Sequence, residues 1–144
     1  VPYAPVVDFA REMARTHPVS VASGGVRETV VRTMEAVGLM EIFPVIVTQD
    51  DVTRSKPAPD LFLLAAERMG VDPTKCLVFE DSRAGLEAAR AAGMRSMFIM
   101  CCAADIPGNT ALATAACADY RSLPPRFWHD IADGRLDITG RVYA

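Results

Sequence analysis

No apolar stretch in this 144-residue chain approaches the ~20 residues needed to cross a bilayer. The longest uninterrupted run, Met97 to Ala104, is far shorter, so a membrane is not an expected partner. Neither sign of charge dominates: 15 Lys and Arg stand against 18 Asp and Glu, for a net charge of −3. Without a basic excess or stripe, duplex nucleic acid is a poor partner. Nothing at the N-terminus reads as a signal peptide, and the expected location is the cytoplasm. Histidine is scarce, with only His17 and His129, neither near a cysteine in sequence. The four cysteines, Cys76, Cys101, Cys102 and Cys117, form no C-x-x-C pair. Zinc needs convergent nitrogen and sulfur ligands, so reduced, buried thiols are expected instead. Lysine is rarer still among the bases: 13 of the 15 are Arg, and only Lys56 and Lys75 are Lys. The chain also begins at Val1 rather than Met, so it is expected to be less than a whole gene product.

What is present fits one folded domain over residues 1–144. A composition 51% hydrophobic and 23% charged, with 9 Gly and 10 Pro, argues against disordered and fibrous classes. A chain of this length buries roughly 68–70% of its unfolded surface. There are no long repeats, although Thr110 to Ala118 is rich in Ala and Thr.

Short apolar runs alternate with helical patterns. After a linker-like Val1 to Pro5, Val6 to Thr16 has helical spacing. Val19 to Ala22 is β-prone and stops at Ser23-Gly24-Gly25, before a helix from about Val26 to Val37 that Gly38 ends. Val45 to Thr48 is a second strand, followed by a polar loop to Pro59 and a helix to Met69, with Pro in its first turn. Cys76 to Phe79 is a third strand, Arg83 to Ala92 an Ala-rich helix, and Arg95 to Met100 a fourth strand. The tail is less regular, with a short helix near Pro125 to Ala132. Strands alternating with 10–13-residue helices indicate βαβ units and a parallel sheet. With right-handed crossovers these give a doubly wound α/β sandwich.

In open parallel sheets, sites form outside the carboxyl ends of the strands. The first strand ends in Ser23-Gly24-Gly25, the second leads to Asp50-Asp51 and then Lys56, and the third ends in Glu80-Asp81-Ser82. Each element alone has an ordinary reading: a turn and N-cap, a solvated lysine, a helix-capping acidic pair. Together on one rim they place a hydroxyl and amide groups at a helix N-terminus, where phosphate binds. Lys56 adds a compact charge suited to phosphate, and Glu80 and Asp81 supply the oxygen ligands a hard cation such as Mg²⁺ requires.

Val21-Ala-Ser-Gly-Gly25, Lys56-Pro-Ala-Pro-Asp60 and Val78-Phe-Glu-Asp-Ser82 with Ala84-Gly85 resemble motifs two, three and four of the haloacid dehalogenase superfamily, in its β-phosphoglucomutase-like phosphatase branch. The stretch from Lys56 to Gly93 is the most specific; the resemblance runs from about Val1 to Ile99. It implies that Ser23, with the Gly24 amide, binds the transferring phosphoryl group. Lys56 neutralises that phosphate and the attacking carboxylate, and Asp81 with Glu80 holds Mg²⁺. Asp60 orients the Lys56 loop or its helix, and Arg27 is a helix-surface residue. The implied substrate is a small phosphorylated metabolite, with phosphosugars the default class.

The departure from the family pattern is as informative. The family's nucleophile lies in an Asp-x-Asp motif after an apolar strand, and no Asp-x-Asp occurs in these residues. Asp8 is the only early candidate, and it sits in a helical pattern. The resemblance therefore implies the C-terminal portion of the family's core, without nucleophile strand or helical cap, and inactive in isolation. The absent strand would lie between the Val19–Ala22 and Cys76–Phe79 strands, leaving two unpaired edges. A phosphosugar mutase is an alternative. So is a non-catalytic module whose sheet is completed by a partner strand or a second copy. A flavodoxin-like or receiver-type domain would need its own phosphate loop or acidic cluster after the first strand, and Ser-Gly-Gly is a poor substitute.

Overall fold

The computed structural model describes residues 4–100, 108–124, 126–132 and 136–143; Cys101 and Cys102 lie outside them. Helix α1 (Ala4–Ala14) buries Val7, Ala10 and Met13 along one stripe, so residues expected in a linker already belong to the helix. Strand β1 (Ser20–Ser23) and helix α2 (Arg27–Ala36) are followed by β2 (Val45–Thr48), a 3₁₀ turn over 49–51 and α3 (Asp60–Met69). Then come β3 (Leu77–Glu80), α4 (Arg83–Ala91) and β4 (Arg95–Ile99). The tail contributes α5 (Asn109–Leu112), β5 (Ala115–Cys117), α6 (Phe127–Ala132) and β6 (Val142–Tyr143).

The helix stops follow from sequence. Gly70 and Gly93 adopt left-handed φ values of 68° and 72°, where a Cβ would be strained. Beyond them, Val71 N–H donates to the Ala66 carbonyl and Met94 N–H to that of Ala89, which satisfies carbonyls the helix ends would otherwise leave free. At the other end of α4, the Ser82 hydroxyl accepts the Gly85 N–H at 3.1 Å.

The strands form two parallel sheets, β1-β2 and β3-β4-β5-β6. Side chains alternate across them, as the pleat requires. Val78 of β3 joins Phe62 and Ala66 of α3 and Ala88 and Ala89 of α4 on one face. On the other, Met97 and Ile99 of β4 pack with Phe127 of α6 and Ile138, with Phe79 against this cluster. Phe98 turns back toward Leu86 of α4 and Ala116. The result is an α/β sandwich with helices on both faces, as expected. The regular strand β5 in the Ala/Thr-rich tail was not foreseen. Its Ala-Ala-Cys sequence is fully buried, and alanine carries little strand signal of its own.

Among the described residues β1 pairs only with β2, and β3 only with β4. The edges of β1 and β3 border a cleft of about 610 Å³, lined by Val21 and Ala22 on one side and by Leu77, Val78 and Phe79 on the other. Phe9 of α1 meets Phe79 edge-on with ring centroids 5.2 Å apart. Since Phe79 and Val78 face opposite ways, α1 covers one face of the cleft and α3 the other. Direct pairing of β1 with β3 would have contradicted the expected vacant position; it does not occur.

Candidate active site

The loops after β1, β2 and β3 meet at one rim. The first two are tied by backbone and side-chain bonds: Gln49 N–H donates to the Gly25 carbonyl at 3.3 Å, and the Arg27 N–H donates to Asp50 Oδ2 at 2.7 Å. Asp50 thus satisfies the first amide of α2. Ser23 Oγ accepts the Gly25 N–H at 3.1 Å, which leaves its own hydroxyl proton free to donate. Gly24 lies against the following loop, since a Cβ there would sit 3.6 Å from Ser55 Oγ. Ser23 and Gly24 therefore adjoin the loop that carries Lys56.

Asp51, read from sequence merely as part of a polar loop end, is the hub of this half of the rim. Its carboxylate accepts from Thr48 N–H at 2.8 Å, Thr48 Oγ1 at 3.0 Å, Arg27 Nη2 at 2.6 Å and Arg68 Nη2 at 3.1 Å. Burial pushes its pKa up, but the Thr48 amide, Arg27, the Thr48 hydroxyl and Arg68 outweigh that and hold it well below the usual carboxylate range. Arg27 is thus a structural tie rather than a free surface arginine. The pairings span 24 and 17 residues, which no local pattern reveals. The Thr48-x-x-Asp51 spacing of a capping box was the available signal. Asp60 takes a two-point contact from Arg54, with Nη2 at 2.9 Å and Nε at 3.2 Å. This tethers the Lys56 loop to the first turn of α3, in keeping with the expected role.

Lys56 reaches across to the third loop. Its Nζ donates to Glu80 Oε2 at 2.8 Å, with both side chains largely buried at 16% and 9% exposure, and lies 4.9 Å from the Phe62 ring centroid. Glu80 is the last residue of β3, not a loop residue. Its Oε1 accepts Asp81 N–H and Ser82 N–H, each at 3.2 Å, and Ser82 Oγ at 2.9 Å. Burial would raise the Glu80 pKa; the Lys56 charge and hydrogen bond, with those of Ser82, hold it below its ordinary value. Asp81 is exposed. Burial of part of its carboxyl, then the shared hydrogen bond and negative charge of Glu80, raise its pKa.

Among the described residues no group of three or more His, Cys, Asp and Glu is placed to hold a metal ion. Three of the four bonds to Glu80 fall on Oε1 and one on Oε2, which leaves Oε2 a lone pair to spare. Glu80 and Asp81, the two carboxylates expected at a metal, are adjacent on this rim, and Glu80 also pairs with Lys56. Asp8 lies on α1 and does not line the cleft. Cys76 and Cys117 are not joined in a disulfide, and burial raises the Cys76 pKa.

The doubly wound α/β frame thus carries a Ser-Gly turn, a lysine loop and an acidic strand end on one rim. The chain belongs to the haloacid dehalogenase-like hydrolase family, which matches residues 1–93. It is 44% identical over 90 residues to the fructose-1-phosphate phosphatase YqaB of Escherichia coli, covering 62% of this chain and 48% of that protein. It is 37% identical over 97 residues to the phosphorylated carbohydrates phosphatase of Thermotoga maritima, covering 65% and 44% respectively. The β-phosphoglucomutase of Clostridium difficile shares the fold, with a TM-score of 0.76 at 18% identity over 90% of this chain and 56% of that one. The chain spans about half the length of the curated relatives it matches.

Proposed function

We propose that these residues supply the phosphate-binding and acidic half of a Mg²⁺-dependent phosphatase acting on a small phosphate monoester, a phosphosugar by class. The observation that supports it most is the convergence of Ser23, Lys56 and the Glu80-Asp81 strand end on one rim beside a vacant strand position. Ser23 Oγ and the Gly24 amide grip phosphoryl oxygens, and Lys56 offsets their negative charge. Asp81 would hold Mg²⁺, which when bound neutralises charge between phosphate and an attacking carboxylate. The nucleophilic aspartate, forming an aspartyl-phosphate, would come on a strand seated between β1 and β3, outside these residues. By the same reading the chain is the C-terminal portion of the core, resident in the cytoplasm, and inactive alone.

The test is p-nitrophenyl phosphate hydrolysis with Mg²⁺, comparing this chain with the gene product extended upstream. Activity confined to the extended protein and lost in Asp81→Ala supports the proposal. Equal Mg²⁺-dependent activity in the short chain defeats it and makes Asp8 the first residue to mutate.

The cleft itself favours a second reading: a non-catalytic module completed by a partner's strand or by a second copy. Among the described residues the facing edges of β1 and β3 have no strand partner, and such edges offer backbone donors and acceptors to an added strand. Light scattering that shows a concentration-dependent dimer would support self-association; a strict monomer would oppose it. Among the described residues no helix is long and apolar enough to cross a membrane.

A further inference from the structure

We infer that Glu80 is a positioning residue, a clamp that fixes the Lys56 ammonium against the first turn of α4. Its two carboxylate oxygens have separate duties. Oε2 receives Lys56 Nζ at 2.8 Å, while Oε1 gathers the Asp81 and Ser82 amides and the Ser82 hydroxyl. Ser82 Oγ in turn accepts the Gly85 N–H, so the chain of bonds runs from the Lys56 loop through Glu80 into the helix. Gly85 completes the clamp: a Cβ at that position would collide with the Glu80 carboxyl group. The carboxylate lies directly over the helix turn, in the space a side chain would fill. A residue built only to cap α4 would have no reason to reach the lysine of another loop 24 residues away in sequence. Nor would a solvated lysine be three-quarters or more buried beside one carboxylate and one phenyl ring. That Lys56 then faces a phosphoryl group rests on the function proposed above; the clamp does not.

The chain carries its own control, because its two lysines separate cleanly: Lys75 is exposed and Lys56 is not. Competitive acylation with acetic anhydride, read by peptide mass spectrometry, gives the ratio of Lys56 to Lys75 labelling in one sample. In the unaltered chain Lys56 is expected to react at least several-fold more slowly. Glu80→Gln, which keeps shape and removes charge, is expected to bring the ratio toward one while the far-ultraviolet circular dichroism stays the same. Ser82→Ala removes the cap of α4 and one of three donors to Glu80 Oε1 but keeps the Oε2–Lys56 bond, and is expected to lower Tm while moving the ratio far less than Glu80→Gln does. Gly85→Ala, which displaces the Glu80 carboxylate without altering charge, should unmask Lys56 as Glu80→Gln does, and serves if the latter fails to fold. Equal labelling of the two lysines in the unaltered chain overturns the inference. So does an unchanged ratio in a folded Glu80→Gln protein. None of these readings depends on turnover, so a negative hydrolysis assay and a negative labelling result point to different errors.

Discussion

Replacing Asp51 by Asn tests whether a buried carboxylate holds together the two loops that carry Ser23 and Lys56. The amide keeps the size of the side chain and one acceptor oxygen for Thr48. It loses the charge that faces Arg27 and Arg68. Hydrogen bonds to charged groups contribute about 1.5–3 kcal/mol each when buried. Here the arginine side chains are 44% and 40% exposed while Asp51 is 13% exposed, so solvent screening brings each toward ~0.5–1 kcal/mol. With the weakened bond from the Thr48 amide, the expected loss is ~2 kcal/mol. An unfolding entropy of about 2.1 cal/mol/K per residue makes this a fall in Tm of about 7 °C. Urea unfolding at pH 7 measures the free energy directly. The pH dependence supplies a second arm with a fixed sign. The folded-state pKa of Asp51 is depressed, so its contribution is fully present above the unfolded carboxylate value near ~3.9. That contribution is lost as pH falls through the folded value. The gap between the two proteins should therefore be constant from about pH 5 to 8 and narrow below about pH 4. A loss under ~0.5 kcal/mol at pH 7, the scale of an ordinary surface substitution, would refute the argument, as would a gap that widens in acid.

The other expectations differ in scale for stated reasons. Leu86→Ala empties a site of zero exposure between α4, Phe98 and Ala116, and should cost ~2–5 kcal/mol in urea unfolding. Asp60→Asn weakens a contact whose arginine partner is 70% exposed. Its penalty should stay below ~1 kcal/mol and shrink further in 0.5 M salt. Titration calorimetry of the isolated chain with Mg²⁺ should give no saturable heat until the cation greatly exceeds the protein, because Glu80 is already engaged by Lys56 and Ser82; tight one-to-one binding would count against that expectation.

The parts of the fold legible in the sequence were those whose signal is local. Strands β1 to β4 and helices α1 to α4 show themselves through apolar runs, 3.6-residue spacing and glycines at the stops. The boundaries moved by a residue or two, and at β3 that shift mattered. It placed Glu80 inside the strand, facing Lys56, rather than in the loop beside Asp81. Strand β5 escaped notice because Ala115, Ala116 and Cys117 are small residues chosen by total burial, not by strand preference. The Asp51 network and the Lys56–Glu80 pair escaped because each joins elements far apart in sequence. The resemblance pointed to Ser23, Lys56, Glu80 and Asp81 together; it carried no sign that Lys56 and Glu80 pair directly.

That pairing follows from how the rim is assembled. Ser23 and Lys56 belong to the half built on β1, β2, α2 and α3, whereas Glu80 and Asp81 belong to the half built on β3 to β6. No strand pairing joins the halves among the described residues. Links that cross between them include the Lys56–Glu80 pair, the shared packing of α3 with α4 and β3, and the aromatic contacts of Phe9 with Phe79 and Tyr120. Backbone groups along an apolar cleft need partners, so a strand seated there would satisfy both edges at once. It would also fix the spacing of the two halves of the rim. On the proposed reading, completing the sheet and completing the site are therefore one event, with the Glu80 clamp as the part of the site already in place beforehand.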